Sequence, residues 1–163
     1  MGDGGSYEGE FASGEIDGVG LRRWPDGSTY NGEFDRGERH GRGVHVSADG
    51  EVYEGQWRHN QRDGAGELRY RNGDVYRGEF RQHKLHGKGT FVRTADGSTL
   101  QAEWVDGEQT GHGVLSDCSS RVLYQGMWRN GRRHGTGRGL LTPTSSITFD
   151  GEWQDNRPTG ETY

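Results

Sequence analysis

Aromatic and polar residues alternate in a short pattern that returns seven times along the chain. A typical copy is YNGEF at 30–34, with an aromatic residue, glycine two positions later and a second aromatic residue four positions later. Side chains at every second position of a β-strand point to the same face. The pattern predicts strands that carry a ladder of rings on one face: Tyr7, Phe11, Tyr30, Phe34, Tyr53, Trp57, Tyr76, Phe80, Trp104, Tyr124 and Phe149.

The copies recur at intervals of 23 to 25 residues. Each glycine-rich middle, such as DRGERHGRG, predicts a chain reversal followed by a second short strand, such as VHVS, ELRYR or GTFVR. An Asp-Gly or Asn-Gly pair near the end of each of the first four copies predicts the hairpin turn into the next copy. Apolar residues do not recur at helical spacing, so the sequence predicts a run of β-hairpins.

Hairpins that each bury little surface become stable by packing on their neighbours, as in solenoid proteins. The predicted fold is therefore all-β, an elongated single-layer antiparallel β-hairpin repeat of about six and a half units. Residues 1–6 are predicted to be the tail of a preceding repeat or a linker. The predicted repeats are 7–29, 30–52, 53–75, 76–99, 100–123, 124–148 and the partial repeat 149–163.

The repeated motif resembles that of the membrane occupation and recognition nexus (MORN) repeat family. The resemblance rests on Y-x-G-E-[FW]-x-x-G-x-x-H-G-x-G followed by D-G, as in YNGEFDRGERHGRG and the later DG of residues 30–50. It covers essentially the whole chain and weakens after residue 97, where Leu100 and Ala102 replace Tyr and Gly. The resemblance implies a MORN solenoid that serves as a scaffold in cytoskeletal, ciliary or membrane-proximal assemblies and that self-associates.

Composition narrows the class of protein. Only 27% of residues are hydrophobic, which argues against a thick two-layer core. The net charge of −5 does not favour nucleic acid as a partner, because nucleic-acid binders carry a strongly basic face. A single cysteine, Cys118, fits a reducing compartment. With no apolar run long enough to cross a bilayer, we expect a cytoplasmic protein, associated with the cytoskeleton or with a membrane surface.

The sequence predicts neither catalytic residues nor a metal or cofactor site. His40, His86 and His134 recur at one repeat position, but alternate repeats place them too far apart to share an ion. We expect these imidazoles to stabilise turns by bonding to nearby backbone. Gly-x-Gly recurs without a following helix, so neither a dinucleotide nor a P-loop site is predicted.

A groove for a protein partner, either a peptide or a cytoskeletal protein, is one candidate site. Its expected anchors are aromatic residues placed on the second strands, with glutamates as polar contacts. The alternatives are that the rings are sheet core and that the glutamates are a solvated row. The candidates are Trp24, Tyr70 and Phe91 with Glu33, Glu79 and Glu103.

Basic residues cluster at the bends and suggest a second candidate, an edge that binds anionic phospholipid. The competing interpretation is a solvated, salt-screened edge. The candidate residues are Lys84, Lys88, Arg132 and Arg133.

Self-association is the third candidate, because an unpaired terminal strand can pair with another chain. The sequence predicts a homodimer through one terminal repeat, near Trp128 and Trp153. The preferred function is a non-catalytic scaffold; the alternatives are a module that binds phosphoinositides or other anionic lipid, and a regulatory array of a larger enzyme.

Overall fold

The structure is a computed structural model that describes residues 4–160. Residues 1–3 of the predicted tail and 161–163 of the last partial repeat lie outside the described residues. The described chain contains no helix, and its fourteen strands follow one another in an open antiparallel sheet, which confirms the all-β hairpin repeat. The strands are β1 Ser6–Ala12, β2 Glu15–Arg23, β3 Thr29–Asp35, β4 Glu38–Val46, β5 Val52–Arg58, β6 Gln61–Arg69, β7 Val75–Arg81, β8 Lys84–Val92, β9 Thr99–Val105, β10 Glu108–Ser116, β11 Val122–Arg129, β12 Arg132–Leu140, β13 Thr148–Gln154 and β14 Arg157–Pro158.

Two-residue turns join the two strands of every hairpin. Both turn residues have positive φ, between 46° and 85°, from Ser13 and Gly14 in the first hairpin to Asp155 and Asn156 in the last. This geometry matches the right-handed twist of the flanking strands, and glycine and asparagine favour it. We call these turns the bends.

The Asx-Gly pairs lie elsewhere, in longer turns that lead from one hairpin to the next. In the first of these turns, Gly27 donates its backbone N–H to the carbonyl oxygen of Trp24 over 3.1 Å. The side chain of Asp26 accepts the N–H of Ser28 at 2.8 Å. The Asx-Gly pairs thus return the chain to the next repeat, as predicted, but the tightest turns are the bends.

Second strands are longer than predicted, because they begin directly after the bend and include the Gly-x-Gly motif. In β4, Gly43 pairs with Gly32, whereas the next pair is Arg39 with Phe34. Three residues of β4 therefore oppose Glu33 alone, which is a β-bulge. Gly41, the first glycine of the motif, has φ +62° in this bulge. The second, Gly43, makes room for the ring of Tyr30, whose atoms a Cβ at this position would overlap.

The described chain divides into two compact units, residues 4–84 and 85–160. The core of unit one consists of Tyr30, Phe34, Tyr53, Trp57, Leu68, Tyr76 and Phe80. The core of unit two contains Leu100, Ala102, Tyr124, Trp128 and Trp153.

Candidate binding surface

One face of the sheet carries the ring ladder, and we call it the aromatic face. In unit one, Phe34 packs edge-on between the opening rings of its own and the preceding repeat, at 4.9 Å from Tyr30 and 5.5 Å from Tyr7. Trp57 lies in the same way between Tyr53 and Tyr30. Edge-to-face pairs at these distances contribute about 0.5–1.5 kcal/mol beyond their buried area. The exposure of Phe11, 57%, follows because only Tyr7 packs against it among the described rings.

Three arginines lie over these rings, all nine residues after an opening tyrosine. The guanidinium of Arg39 is 4.6 Å from the ring centroid of Trp57. Arg62 is 5.4 Å from Phe80 and 5.5 Å from Tyr53. In unit two, Arg133 is 4.8 Å from Trp153. Sequence reasoning placed Arg133 in the basic edge of the bends and missed the stacking of all three arginines, although their fixed distance from the tyrosine was a usable signal.

Arg39 and Arg62 also line a cavity of about 230 Å³ on the aromatic face, the unit-one cavity. The rings of Tyr53 and Trp57 form part of its wall, together with His45. The arginines are held by the backbone of the bends: Arg39 donates to the carbonyl oxygen of Asn60 at 3.0 Å, and Arg62 to that of His83 at 2.9 Å.

Burial and positive charge both act on the titratable groups of the unit-one cavity. Burial lowers the pKa of Arg39 and of Arg62, and the charge of Arg62 lowers that of Arg39 further. Burial, then the charges of Arg62 and Arg39, lower the pKa of His83 to about 4. Burial also raises the pKa of the Tyr53 hydroxyl to about 12. The cavity therefore contains charged arginines beside neutral histidine and tyrosine at neutral pH.

A second cavity, the unit-two cavity, has a volume of about 330 Å³ and a more apolar wall that includes Phe91, Leu100 and Trp104. Gln109 takes the position that arginine occupies in the repeats described above. Its side chain is only 5% exposed, and its Nε2 has no hydrogen-bond partner. The cavity occurs in the repeat whose opening tyrosine is replaced by Leu100, which lacks a ring.

The predicted partner groove is divided between the two faces of the sheet. The prediction that Trp24 and Tyr70 lie on second strands is wrong, because they lie in the turns directly after β2 and β6. Phe91 does lie on its predicted second strand, β8. Trp24 belongs to the aromatic face, since its ring is 6.1 Å from His45 and within 5.7 Å of the Arg39 guanidinium.

The glutamates of the predicted groove, Glu33, Glu79 and Glu103, alternate with the rings and lie on the opposite face. The carboxylate of Glu33 accepts the backbone N–H of Arg42, which the bulge leaves without a strand partner. Glu10 does the same for Val19 at 2.6 Å, and the amide oxygen of Gln56 for Ala65 at 3.1 Å. The side chain at the repeated acidic position thus accepts the backbone N–H that the bulge leaves unpaired. The sequence pattern did not reveal this role.

The four residues of the predicted lipid edge do not all lie on one exposed surface. Lys84 and Lys88 are exposed, and Arg132 is exposed with its guanidinium 3.8 Å from the carboxylate of Asp155. Arg133 does not lie on this edge, because its guanidinium is half-buried over the rings of unit two. Among residues 4–160 there is no helix of the length and hydropathy that a membrane span requires.

Trp128 and Trp153, predicted near a dimer contact, are core residues of unit two and only 7% and 2% exposed. The ring of Tyr124 packs between them at 5.1 and 5.3 Å. Their indoles are therefore occupied within one chain, and a dimer contact near them would use other side chains.

Of the recurring histidines, His86 accepts the backbone N–H of Asp106 in the following bend at 3.5 Å, consistent with the predicted turn-stabilising role. His134 does not fit this prediction, because its Nδ1 is buried without a hydrogen-bond partner. In the preceding repeats, the carboxylates of Asp17 and Asp63 accept bend N–H groups in the same way. The described residues contain no cluster of three or more His, Cys, Asp or Glu side chains suited to a metal ion. Cys118 is exposed in its turn.

Comparison with known families agrees with this architecture. The MORN repeat model matches residues 7–29, 30–52, 53–75, 76–98, 101–119, 124–138 and 149–161. No curated protein sequence matches the chain. Because the seven matches cover most of the sequence in the phase of the observed hairpins, the chain belongs to the MORN repeat family.

Proposed function

We propose that this protein is a non-catalytic scaffold whose aromatic face binds a segment of a partner protein. The observation that carries the proposal is the unit-two cavity. It combines an apolar wall with the buried amide of Gln109, whose Nε2 lacks an acceptor. Buried polar groups in folded proteins are normally hydrogen-bonded, so this unpaired amide marks the cavity as a surface that a partner segment can complete.

The size of the cavity suits a partner side chain. Protein interfaces draw most of their affinity from a few anchors that fill well-packed pockets. A volume of about 330 Å³ leaves room for one large side chain beside Phe91 and Leu100.

Leu100→Phe tests the proposal, because the larger side chain fills the cavity from its own wall. Gln101→Phe is the matched control: it adds a ring at the neighbouring, exposed position on the opposite face. Cross-linking mass spectrometry in cells would compare both variants with the unchanged chain. We expect Leu100→Phe to lose partners that Gln101→Phe retains, and identical partners for all three chains would refute the proposal.

Self-association remains part of the proposed scaffold. β1 and β14 lie at the two ends of the strand order, and exposed strand edges favour pairing with another chain. Multi-angle light scattering over a concentration series would measure the mass directly. A monomer mass at every concentration would remove the homodimer.

Cytoskeletal or membrane-proximal assemblies in the cytoplasm are the setting that we propose for this scaffold. The anionic-lipid alternative has less support, because Arg133 stacks on the aromatic face and Arg132 is paired with Asp155. Exposed Lys84 and Lys88 still offer a contact, and vesicle co-sedimentation at low salt would test it.

A further inference from the structure

The unit-one cavity contains two guanidinium groups, those of Arg39 and Arg62, that form no ion pair with a carboxylate among the described residues. Ion pairs of arginine with carboxylate within residues 4–160 include those of Arg23, Arg36, Arg69, Arg77 and Arg132. Arg39 and Arg62 form none of them. In addition, the Nε of Arg62 is buried and has no hydrogen-bond partner. A half-buried guanidinium without a carboxylate partner favours an anionic acceptor, since charge-assisted hydrogen bonds are the stronger ones.

Other groups at the cavity leave this positive field in place. His45 and His83 are neutral at neutral pH, because burial and the two arginines lower their pKa. Glu51, on the cavity wall, is the one carboxylate among the cavity's lining residues. One carboxylate against two guanidiniums leaves the cavity with a net positive charge.

From this geometry we propose that the unit-one cavity binds an acidic side chain of the partner segment, so that the partner is an acidic protein segment. The inference rests on the proposed scaffold function and names the chemistry of its partner. The carboxylate would accept from Arg39 and Arg62, while Tyr53 and Trp57 shield it from water. A membrane is the less suitable occupant, because Glu51 on the cavity wall opposes an anionic leaflet, whereas a single side chain can enter beside it.

A short peptide of six glutamates serves as the probe, with a peptide of six glutamines as its uncharged control. The NMR signals of the arginine Nε–H groups and of the Trp57 indole report binding at the cavity of the intact chain. We expect hexaglutamate to shift the Arg39, Arg62 and Trp57 signals until they saturate, and hexaglutamine to leave them unchanged. Shifts confined to other residues, or no saturable shift, would overturn the proposal. The net charge of −5 helps the experiment, because it opposes non-specific adsorption of an acidic peptide.

Arg62→Gln and Arg58→Gln form a matched pair, because both remove one positive charge from neighbouring strands. Arg58 is exposed and follows Trp57 directly, so its side chain lies on the face opposite the cavity. We expect Arg62→Gln to weaken hexaglutamate binding at least about tenfold and Arg58→Gln to change it by less than about twofold. Equal weakening by both variants would indicate non-specific attraction and would refute the site. If Arg62→Gln does not fold, Arg39→Gln replaces it in the same comparison.

Two further measurements are needed. The first distinguishes an acidic protein segment from anionic lipid as the ligand of the cavity, and the second distinguishes failure of the acidic-segment inference from failure of the scaffold proposal. Vesicles of phosphatidylcholine with phosphatidylserine should not displace hexaglutamate; displacement that Arg62→Gln abolishes would assign the cavity to lipid instead. If hexaglutamate does not bind while Leu100→Phe still loses partners, the acidic-segment inference fails and the scaffold stands. If Leu100→Phe loses no partner, the scaffold itself fails.

Discussion

Glu33 shows how a single side chain supplies a hydrogen-bond acceptor to the backbone of a neighbouring strand. Its carboxylate accepts the Arg42 N–H that the bulge leaves without a partner. We expect Glu33→Ala to lower the free energy of unfolding by about 1–2 kcal/mol, because the N–H loses its acceptor. Glu33→Gln should cost less, since Gln56 performs the same role for Ala65.

Urea denaturation measures both effects. Glu54→Ala is the control, because Glu54 is exposed on the same face of the sheet. If Glu33→Ala and Glu54→Ala have equal effects on the midpoint, the bulge does not depend on the carboxylate.

His83 links stability to pH. Its pKa is about 4 in the folded chain, against 6.5 for an unperturbed imidazole. Between these values the unfolded chain binds a proton that the folded chain excludes, so stability falls as the pH drops from about 6.5 to about 4. His45 acts in the same direction, because burial lowers its pKa as well.

Urea midpoints at about pH 7 and about pH 5 would test this linkage. We expect His83→Gln to reduce the loss of stability at the lower pH. His112→Gln is the control because His112 belongs to unit two and does not line the unit-one cavity, and it should keep the pH dependence of the unchanged chain. An unaltered dependence in His83→Gln would contradict the assignment.

At the scale of elements, the sequence determines the strands better than their pairing. Rings at the first and fifth positions predicted the ladder of the aromatic face, because the two-residue period of a strand is local. The bulge was not predictable in this way, since it depends on which residue of the second strand faces Glu33. For the same reason, the full length of the second strands and the roles of the glutamates became visible only with the register.

The fifth hairpin illustrates how one ring supports its neighbours. The indole nitrogens of Trp57 and Trp153 donate to the carbonyl oxygens of Gly43 and Gly137, at 3.1 and 3.0 Å. The equivalent Nε1 of Trp128 has no partner. Trp128 instead lies against Gly113, at the position where the second glycine faces a tyrosine ring in other repeats. The loss of this bond thus accompanies the replacement of tyrosine by Leu100.

A double-mutant cycle with Leu100→Tyr and Ala102→Gly tests this interpretation. In a regular repeat, a Cβ on Gly32 would lie only 2.9 Å from the hydroxyl oxygen of Tyr30. Leu100→Tyr alone should therefore be crowded by Ala102, while the double variant should regain a regular repeat. We expect a favourable coupling free energy of about 1–2 kcal/mol from urea denaturation. Additive effects would show that ring and glycine are independent.

At the scale of the whole molecule, stability should vary along the chain, because each repeat packs mainly on its neighbours. In such arrays, stability is approximately a sum of repeat and nearest-neighbour terms. β3, β5, β7 and β11 carry the most deeply buried tyrosines, whereas β1 carries the exposed Phe11 and β14 has two residues. Native-state hydrogen exchange should therefore be slowest in the first group and fastest in β1 and β14.

Tyr30→Leu extends this test, because it copies the natural replacement at Leu100 into a regular repeat. Tyr30 contacts Phe34 and Trp57, so the loss of its ring removes support from β3 and β5 directly. We expect exchange to accelerate most in β3–β5 and least in β11–β13, since only nearest-neighbour terms change. An equal acceleration in all strands would instead show that the described chain opens as one cooperative unit, and stability could then not be assigned repeat by repeat.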